Sequence, residues 1–452
     1  MPDMSKLLVR VVSCAWLLGA VSCSSDSEDG AADAGDAEVR QEASATRAEN
    51  EGEERAAQAG RAARPASADA GMDASAPAST ARDSEARKPE QKPKPPTKTQ
   101  PEPEPDLPSD EDAGTEPLPE CLPFELPADC PEVTGPASPL SLHCAGLYAD
   151  LPRGIVACGL TEYAPAYELW SDGAVKRRWV SLPADARVDT TDPDAFVFPV
   201  GTRFWKEFQV MSRGELRRAE TRLLRKVERG WVFTTYVWSA DGQSATATNN
   251  GVNNWERTGH TVPTRDQCVD CHGGRKDLVL GWDPVLLGPG ARGIHYEDLV
   301  TADEDAGTPA VPTTPPGDAV EQAALGYLHV NCGVSCHNET IDARARDTAL
   351  NLRLATGRND SVQQTPLFAA INKLPTGNAP FFELEAPPEG PFYDILPGAP
   401  ARSLLLARML VRDHPAQMPP LASNEVDEAG AAAVEAWIQQ MTAERGYPAP
   451  AP

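Results

Sequence analysis

Residues 318–337, Asp318-Ala-Val-Glu321-Gln-Ala-Ala-Leu-Gly-Tyr327-Leu-His-Val-Asn-Cys332-Gly-Val-Ser-Cys336-His337, decide how the C-terminal half of this 452-residue chain is read. Asp318 and Glu321 have the spacing of a capping box, in which each side chain receives a backbone N–H left over at a helix start. Val320, Ala323, Ala324, Tyr327 and Leu328 follow at helical intervals on one face, so the spacing predicts a helix that delivers Cys332. A shorter version of its ending stands upstream, Cys268-Val-Asp-Cys271-His272. C-x-x-C-H is the attachment sequence of c-type haem: two thiols add across the vinyl groups and the adjoining imidazole coordinates iron. Two intervening residues make one tight turn, which brings both sulfurs to the same edge of a porphyrin while the next side chain points at its centre.

The Cys332 pair departs from this pattern, with three residues between the cysteines. Haem still attaches across the longer spacer if the extra residue bulges out. Two other chemistries compete. Cys268, Cys271, Cys332 and Cys336 could hold a zinc ion as four thiolates, and the second pair alone could close as a disulfide. The histidine directly after each pair argues for haem, since a four-cysteine zinc site does not need one.

Haem is attached covalently outside the cytoplasm, and the beginning of the chain reads as exported. Lys6 and Arg10 precede an apolar stretch from Val11 to Val21, and Ala20-Val21-Ser22-Cys23 matches a lipoprotein cleavage box, which makes Cys23 the expected lipidated residue. The apolar run is far shorter than the ~20 residues that span a bilayer. The expected location is the cell envelope, lipid-anchored, in the periplasm or at the outer membrane, with residues 1–23 as signal peptide.

Residues 24–120 are rich in Ala, Asp, Glu, Pro, Ser and Gly and poor in aromatic and β-branched residues, so they cannot bury enough surface to fold. Residues 26–120 carry 24 acidic against 11 basic side chains, a net of −13. With +1 over residues 1–25, this leaves −14 of the total −26 for residues 121–452. The segment is expected to be a solvated tether, proline-rich near its end. The acidic folded part makes nucleic acid an improbable partner and suits basic redox proteins.

Cys121, Cys130, Cys144 and Cys158 lack a following haem-type histidine and are expected to form two disulfides over a stapled segment, 121–165, with three pairings open. Residues 166–254 read as a β-rich domain. Strands are expected over Lys176–Leu182, Ala195–Val200, Arg203–Met211, Arg217–Val227 and Trp231–Trp238, with Phe204, Phe208 and Val210 on one face. Glu228-Arg229-Gly230 suits a three-residue hairpin loop, and Ser244–Asn254 reads as a polar linker. Residues 255–317 form the first haem-binding region, where Gly273-Gly274 lets backbone approach the porphyrin or simply marks a turn. Residues 318–445 hold the second. There Val434, Trp437, Ile438 and Met441 mark a terminal amphipathic helix with Asn424 or Asp427 as N-cap, and Met418-Pro419-Pro420 stands before it.

His272 and His337 are the expected proximal ligands. Met418 is the expected sixth ligand of the second haem, because a thioether favours ferrous iron. It lies 81 residues beyond His337, with the stretch from Leu350 to Pro400 as the implied insertion. The first haem has no Met-Pro loop. His260 is its nearest candidate, ahead of His295, His329, Met211 and His414, and without a ligand that haem would be five-coordinate.

From about Tyr167 to Met441 the chain resembles the diheme c-type cytochromes of bacterial cell envelopes. The likeness is carried by Leu169-Trp-Ser-Asp-Gly-Ala-Val-Lys176, Gly201-Thr-Arg-Phe-Trp-Lys-Glu-Phe208, the Cys268 motif, Leu325-Gly-Tyr-Leu-His-Val-Asn-Cys332 and Met418-Pro-Pro. It implies an α+β fold: an antiparallel β-rich domain followed by cytochrome c-like all-α haem-binding regions, with two haem c groups. The implied role is electron transfer. A diheme peroxidase-like enzyme and a non-haem structural lipoprotein are the alternatives.

Overall fold

The computed structural model describes residues 121–300, 311–376, 384, 385, 387 and 389–451, so the expected signal peptide, Cys23 and the acidic tether lie outside the described residues. Their architecture is α+β. β1 (Cys121–Leu122), β2 (Tyr148–Asp150) and β3 (Ile155–Ala157) form a small sheet in the order β1-β3-β2. The pairing that the sequence leaves open is Cys121–Cys158 and Cys130–Cys144. The second bridge spans a sequence separation of 14 residues and so removes ~3 kcal/mol of unfolded-chain entropy.

The main sheet is an antiparallel meander of six strands in chain order, β4 (Thr161–Glu162), β5 (Val175–Ser181), β6 (Arg203–Ser212), β7 (Glu215–Val227), β8 (Gly230–Trp238) and β9 (Ala245–Thr248). Four expected strands are there. Ala195–Val200 is not a strand and makes only the isolated bridge Asp189↔Val197. Pro199 has no N–H for a ladder, and Phe196 and Phe198 turn into an aromatic cluster with Phe204, Trp231 and Trp282. Phe198 meets Phe204 and Trp282 edge-on at 5.1 and 5.2 Å, contacts worth ~0.5–1.5 kcal/mol each beyond their buried area.

Two other expectations are corrected. Val227 pairs with Gly230, so the β7–β8 hairpin loop is the two residues Glu228-Arg229, and Gly230 takes its φ of 120° as the first residue of β8. The expected linker after Ser244 begins as strand β9, because Ala245 is small enough to pair opposite Trp238 in the core.

Along β6, Phe204, Lys206 and Phe208 turn to one face while Trp205, Glu207 and Gln209 turn to the other. The Trp205 face packs on Leu142, Leu147 and Tyr148 of the disulfide-stapled lobe. The Phe204 face looks toward the helical part of the chain.

That part contains α1 (Arg265–His272), α2 (Tyr296–Leu299), α3 (Ala319–Leu328), α4 (Leu404–Met409) and α5 (Glu428–Gln439). The capping box of α3 is formed, with Asp318 accepting from Val320 and Glu321. Asp427 caps α5, whereas Asn424 bonds Asp172 instead. Leu325 and Leu328 of α3 share a core with Val434, Trp437 and Ile438 of α5. A Cβ on Gly430 would lie 2.1 Å from the Tyr327 ring, so glycine is what lets the two helices cross this closely. The stretch expected as an insertion holds short 3-10 turns at Val362–Gln364 and Pro366–Ala370.

Candidate functional site

The first motif is a helix built for display. Thr264 caps α1 and Gln267 returns the bond, which satisfies the backbone donors that would otherwise compete for side chains. One turn later the helix offers Cys268, Cys271 and His272, and both thiols are free. His272 donates its Nδ1–H to the Leu278 carbonyl at 2.5 Å and meets Phe233 edge-on at 5.0 Å. That bond leaves Nε2 as the ring's acceptor nitrogen, the state of a histidine ready to bind metal. Burial pushes the imidazole down to about 4, so it is neutral at ordinary pH.

The second motif repeats this with one more residue. After α3 the chain widens into a π-helical turn over His329–Gly333. The Cys332 carbonyl then accepts the N–H of both Cys336 at 3.1 Å and His337 at 2.9 Å. The longer spacer is thus taken up in a five-residue turn that still places the imidazole one turn beyond the first thiol. His337 is buried, donates Nδ1–H to the Leu350 carbonyl at 3.1 Å and is pushed down to about 4 by burial. Cys332 and Cys336 are free thiols pushed up to about 12, again by burial.

The two motifs abut. A Cβ on Gly274 would lie 1.9 Å from the Ser335 carbonyl oxygen, so the glycine admits the backbone of the second motif rather than a porphyrin face. Arg344 ties the pair with a 2.7 Å bridge to Asp270. Between α1, the Phe204 face of the sheet, residues 330–336 and the loop Pro419–Ala422 lies a cavity of about 230 Å³, walled by Cys268, Cys271, His272 and Cys336.

Most of that wall is apolar, but the sheet contributes charges that alternation alone would have placed in a core. Arg178, Lys206 and Arg222 line the cavity. Arg178 is 6% exposed, and its Nη1 makes no hydrogen bond but lies 3.6 Å from the Glu168 carboxylate. Burial drives the Lys206 ammonium well below its ordinary range, with the Arg178 and Arg222 charges adding to it. Arg222 instead holds Glu220 in a two-point bond at 2.8 and 2.7 Å. Burial works against the Glu220 charge, yet Arg222 and His260 hold it down at about 2.

The other expected ligands fall in distinct places. His260 is on the cavity wall, but its Nε2 bonds Glu220 at 2.9 Å. His329 uses both ring nitrogens, accepting Leu354 N–H at 3.0 Å and donating to Asp283 at 3.1 Å. His414 accepts Ala416 N–H, His295 precedes α2, and Met211 is 62% exposed. Met418 is half-buried, and its N–H bonds the Arg408 carbonyl at 2.9 Å.

Among the described residues, the only group of three or more metal-type ligands drawn together is Asp129, Cys130 and His143, and Cys130 has its sulfur bonded to Cys144. The four motif cysteines are not drawn into such a group among the described residues. The donor set suits haem: paired free thiols, a neutral imidazole whose Nδ1–H is already tied to a carbonyl, apolar walls and buried cations that could meet a carboxylate. Lys206, Arg178 and Arg222 escape motif reading. Their signal is a charge inside an alternating strand beside aromatic residues. No helix of the described residues is long and apolar enough to cross a membrane. Comparison with protein-family profiles, curated proteins and solved structures finds no match for this chain.

Proposed function

We propose that this chain is a lipid-anchored diheme c-type cytochrome that carries electrons at the cell envelope. The observation that supports it most is a ligand geometry that occurs twice: two free thiols, one turn of helix, and an imidazole whose Nδ1–H is tied to a carbonyl. Haem bound covalently at these positions would supply reversible one-electron exchange at its iron. Cys268 and Cys271 would hold the first group and His272 would ligate it, with Arg178 and Lys206 facing its carboxylates. Cys332, Cys336 and His337 would hold the second, with Met418 as sixth ligand. In this reading α3, the Met418 loop and α5 form a cytochrome c-like unit appended to the sheet. Because the motifs touch, electrons would pass between the sites within one chain and then to a redox protein partner. Cys23 would anchor the chain, and Cys23→Ala should release coloured protein from membranes.

A haem count by pyridine haemochrome absorbance tests the reading. Two per chain, retained through acid–acetone extraction, is the expected result. Colourless protein would end it.

One observation favours a second, peroxidase-like reading. No methionine lines the first cavity among the described residues, and His260, its one histidine besides His272, has Nε2 bound to Glu220. A first haem without a protein sixth ligand would be open to peroxide. Peroxide turnover in the two-haem protein separates an enzyme from a carrier.

A further inference from the structure

On the far side of the main sheet, where the disulfide-stapled lobe meets it, a second cavity of about 350 Å³ carries chemistry that the two haem motifs do not use. Its wall holds four arginines, Arg153, Arg177, Arg217 and Arg218, against the two carboxylates Glu207 and Asp241. The lining by itself is two charges positive, in a body whose residues 121–452 carry −14.

Both carboxylates are already satisfied. Glu207 is fully buried and accepts from the Tyr148 hydroxyl at 2.5 Å, Gln209 Nε2 at 2.7 Å and Thr221 Oγ1 at 3.4 Å, so it is held by neutral donors. Asp241 accepts from Ser239 Oγ at 2.6 Å and Gln243 N–H at 3.0 Å. Of the arginines, Arg177 pairs with Glu162 and Arg153 with Asp150. Arg217 and Arg218 have no ion-pair partner among the described residues.

The sheet is deformed so that Arg218 faces this way. Phe208 pairs with Glu220 but Gln209 pairs with Arg218, so Ala219 is an extra residue in β7. Without that bulge Arg218 would share the face of Glu220 and point toward the haem cavity; with it, the side chain is turned to the opposite side. There its guanidinium stacks on Trp238 at 3.8 Å and donates to the Gly242 carbonyl at 3.0 Å. Held flat on one side and by one nitrogen, it keeps further N–H groups for a ligand, and a guanidinium fork matches a planar or tetrahedral oxyanion.

We infer that this cavity binds a small anion carrying a carboxylate or phosphate group, with Arg218 as its principal contact. The site rests on neither haem. Isothermal titration of the full chain with succinate and, separately, with inorganic phosphate at low ionic strength tests it, and the arm that responds identifies the group. Saturable one-to-one binding is expected for at least one of them. Arg218→Ser should weaken it roughly tenfold or more, since a bond to a charged group is worth ~1.5–3 kcal/mol. Arg213→Ser, an arginine that pairs with Glu256 outside the cavity, should leave it unchanged. Arg218→Gln, which keeps the length of the side chain and removes its charge, gives the same reading if Arg218→Ser does not fold. Absence of saturable binding for both anions overturns the inference, as does equal weakening in Arg213→Ser, which would mean diffuse attraction to a charged surface.

Discussion

The segments Cys268–His272 and Cys332–His337 reach one arrangement by two backbone routes. In the first, the helix ladder continues in α fashion, with Gly273 N–H bonded to Val269 O at 2.8 Å. In the second, His337 N–H closes on Cys332 O, five residues back. The residue count between the cysteines differs, while in both the imidazole Nδ1 is held by a backbone carbonyl. What a porphyrin would require is a turn, and α and π turns both supply one. The surroundings differ more. The first motif faces a sheet bearing Arg178, Lys206 and Arg222, whereas the second is set against the apolar core that joins α3 to α5.

The largest test of this equivalence removes one thiol pair. Cys332→Ala with Cys336→Ala should lower the haem count from two to one and leave the first site's spectrum intact. A count still at two would mean that the π-turn motif holds nothing, and the equivalence would fail. Next in size is Gly274→Ala, which sets a methyl against the Ser335 carbonyl where the two motifs touch. Overpacking of this kind costs about 1–3 kcal/mol, read as a fall in Tm. If the contact couples the sites, the spectra of both should change, not that of the first alone.

Much of this was legible before any coordinates. The motifs, the Asp318–Glu321 box, four strands of the main sheet and the terminal helix follow from spacing and periodicity, because each is decided by neighbours in sequence. What escaped was decided at a distance. Ala195–Val200 alternates like a strand, but Phe196 and Phe198 find a better place among aromatic rings from other elements. Ser244–Thr248 is polar enough to pass for a linker, yet Ala245 fits only beneath Trp238. The Gly273-Gly274 pair suits close approach to a porphyrin or a turn, and the actual neighbour of Gly274 comes from a motif 61 residues on, at Ser335. The bulge at Ala219, which decides the face of Arg218, leaves no mark in the pattern.

A smaller effect sharpens the difference between the two sites. Met418 is expected to serve the second motif only. Met418→Ala should abolish a weak near-infrared sulfur-to-iron band and lower one potential by part of the ~0.8 V range that axial ligands control. The other potential should stay where it was. Unchanged spectra would make Met418 a packing residue and leave the second site's sixth ligand to be sought at Met409, His414 or His329.

The smallest effect is the acid sensitivity of the first motif's surroundings, where buried Glu220 bonds two residues of the cavity wall, Arg222 and His260. Glu220 moves from an ordinary value of 4.5 to about 2 in the folded chain. A depressed carboxyl stabilises the fold fully above its unfolded value and loses that contribution as pH falls through 4.5 toward 2. Wherever the unfolded chain binds the extra proton, stability drops by up to about 1.4 kcal/mol per pH unit. His337 has no such partner, its Nδ1 being held by the neutral Leu350 carbonyl. Glu220→Gln should therefore start from a lower Tm at neutral pH, because Arg222 and His260 lose their anion, but decline less steeply than the parent chain below pH 4.5. Parallel curves would show that Glu220 does not carry this acid response.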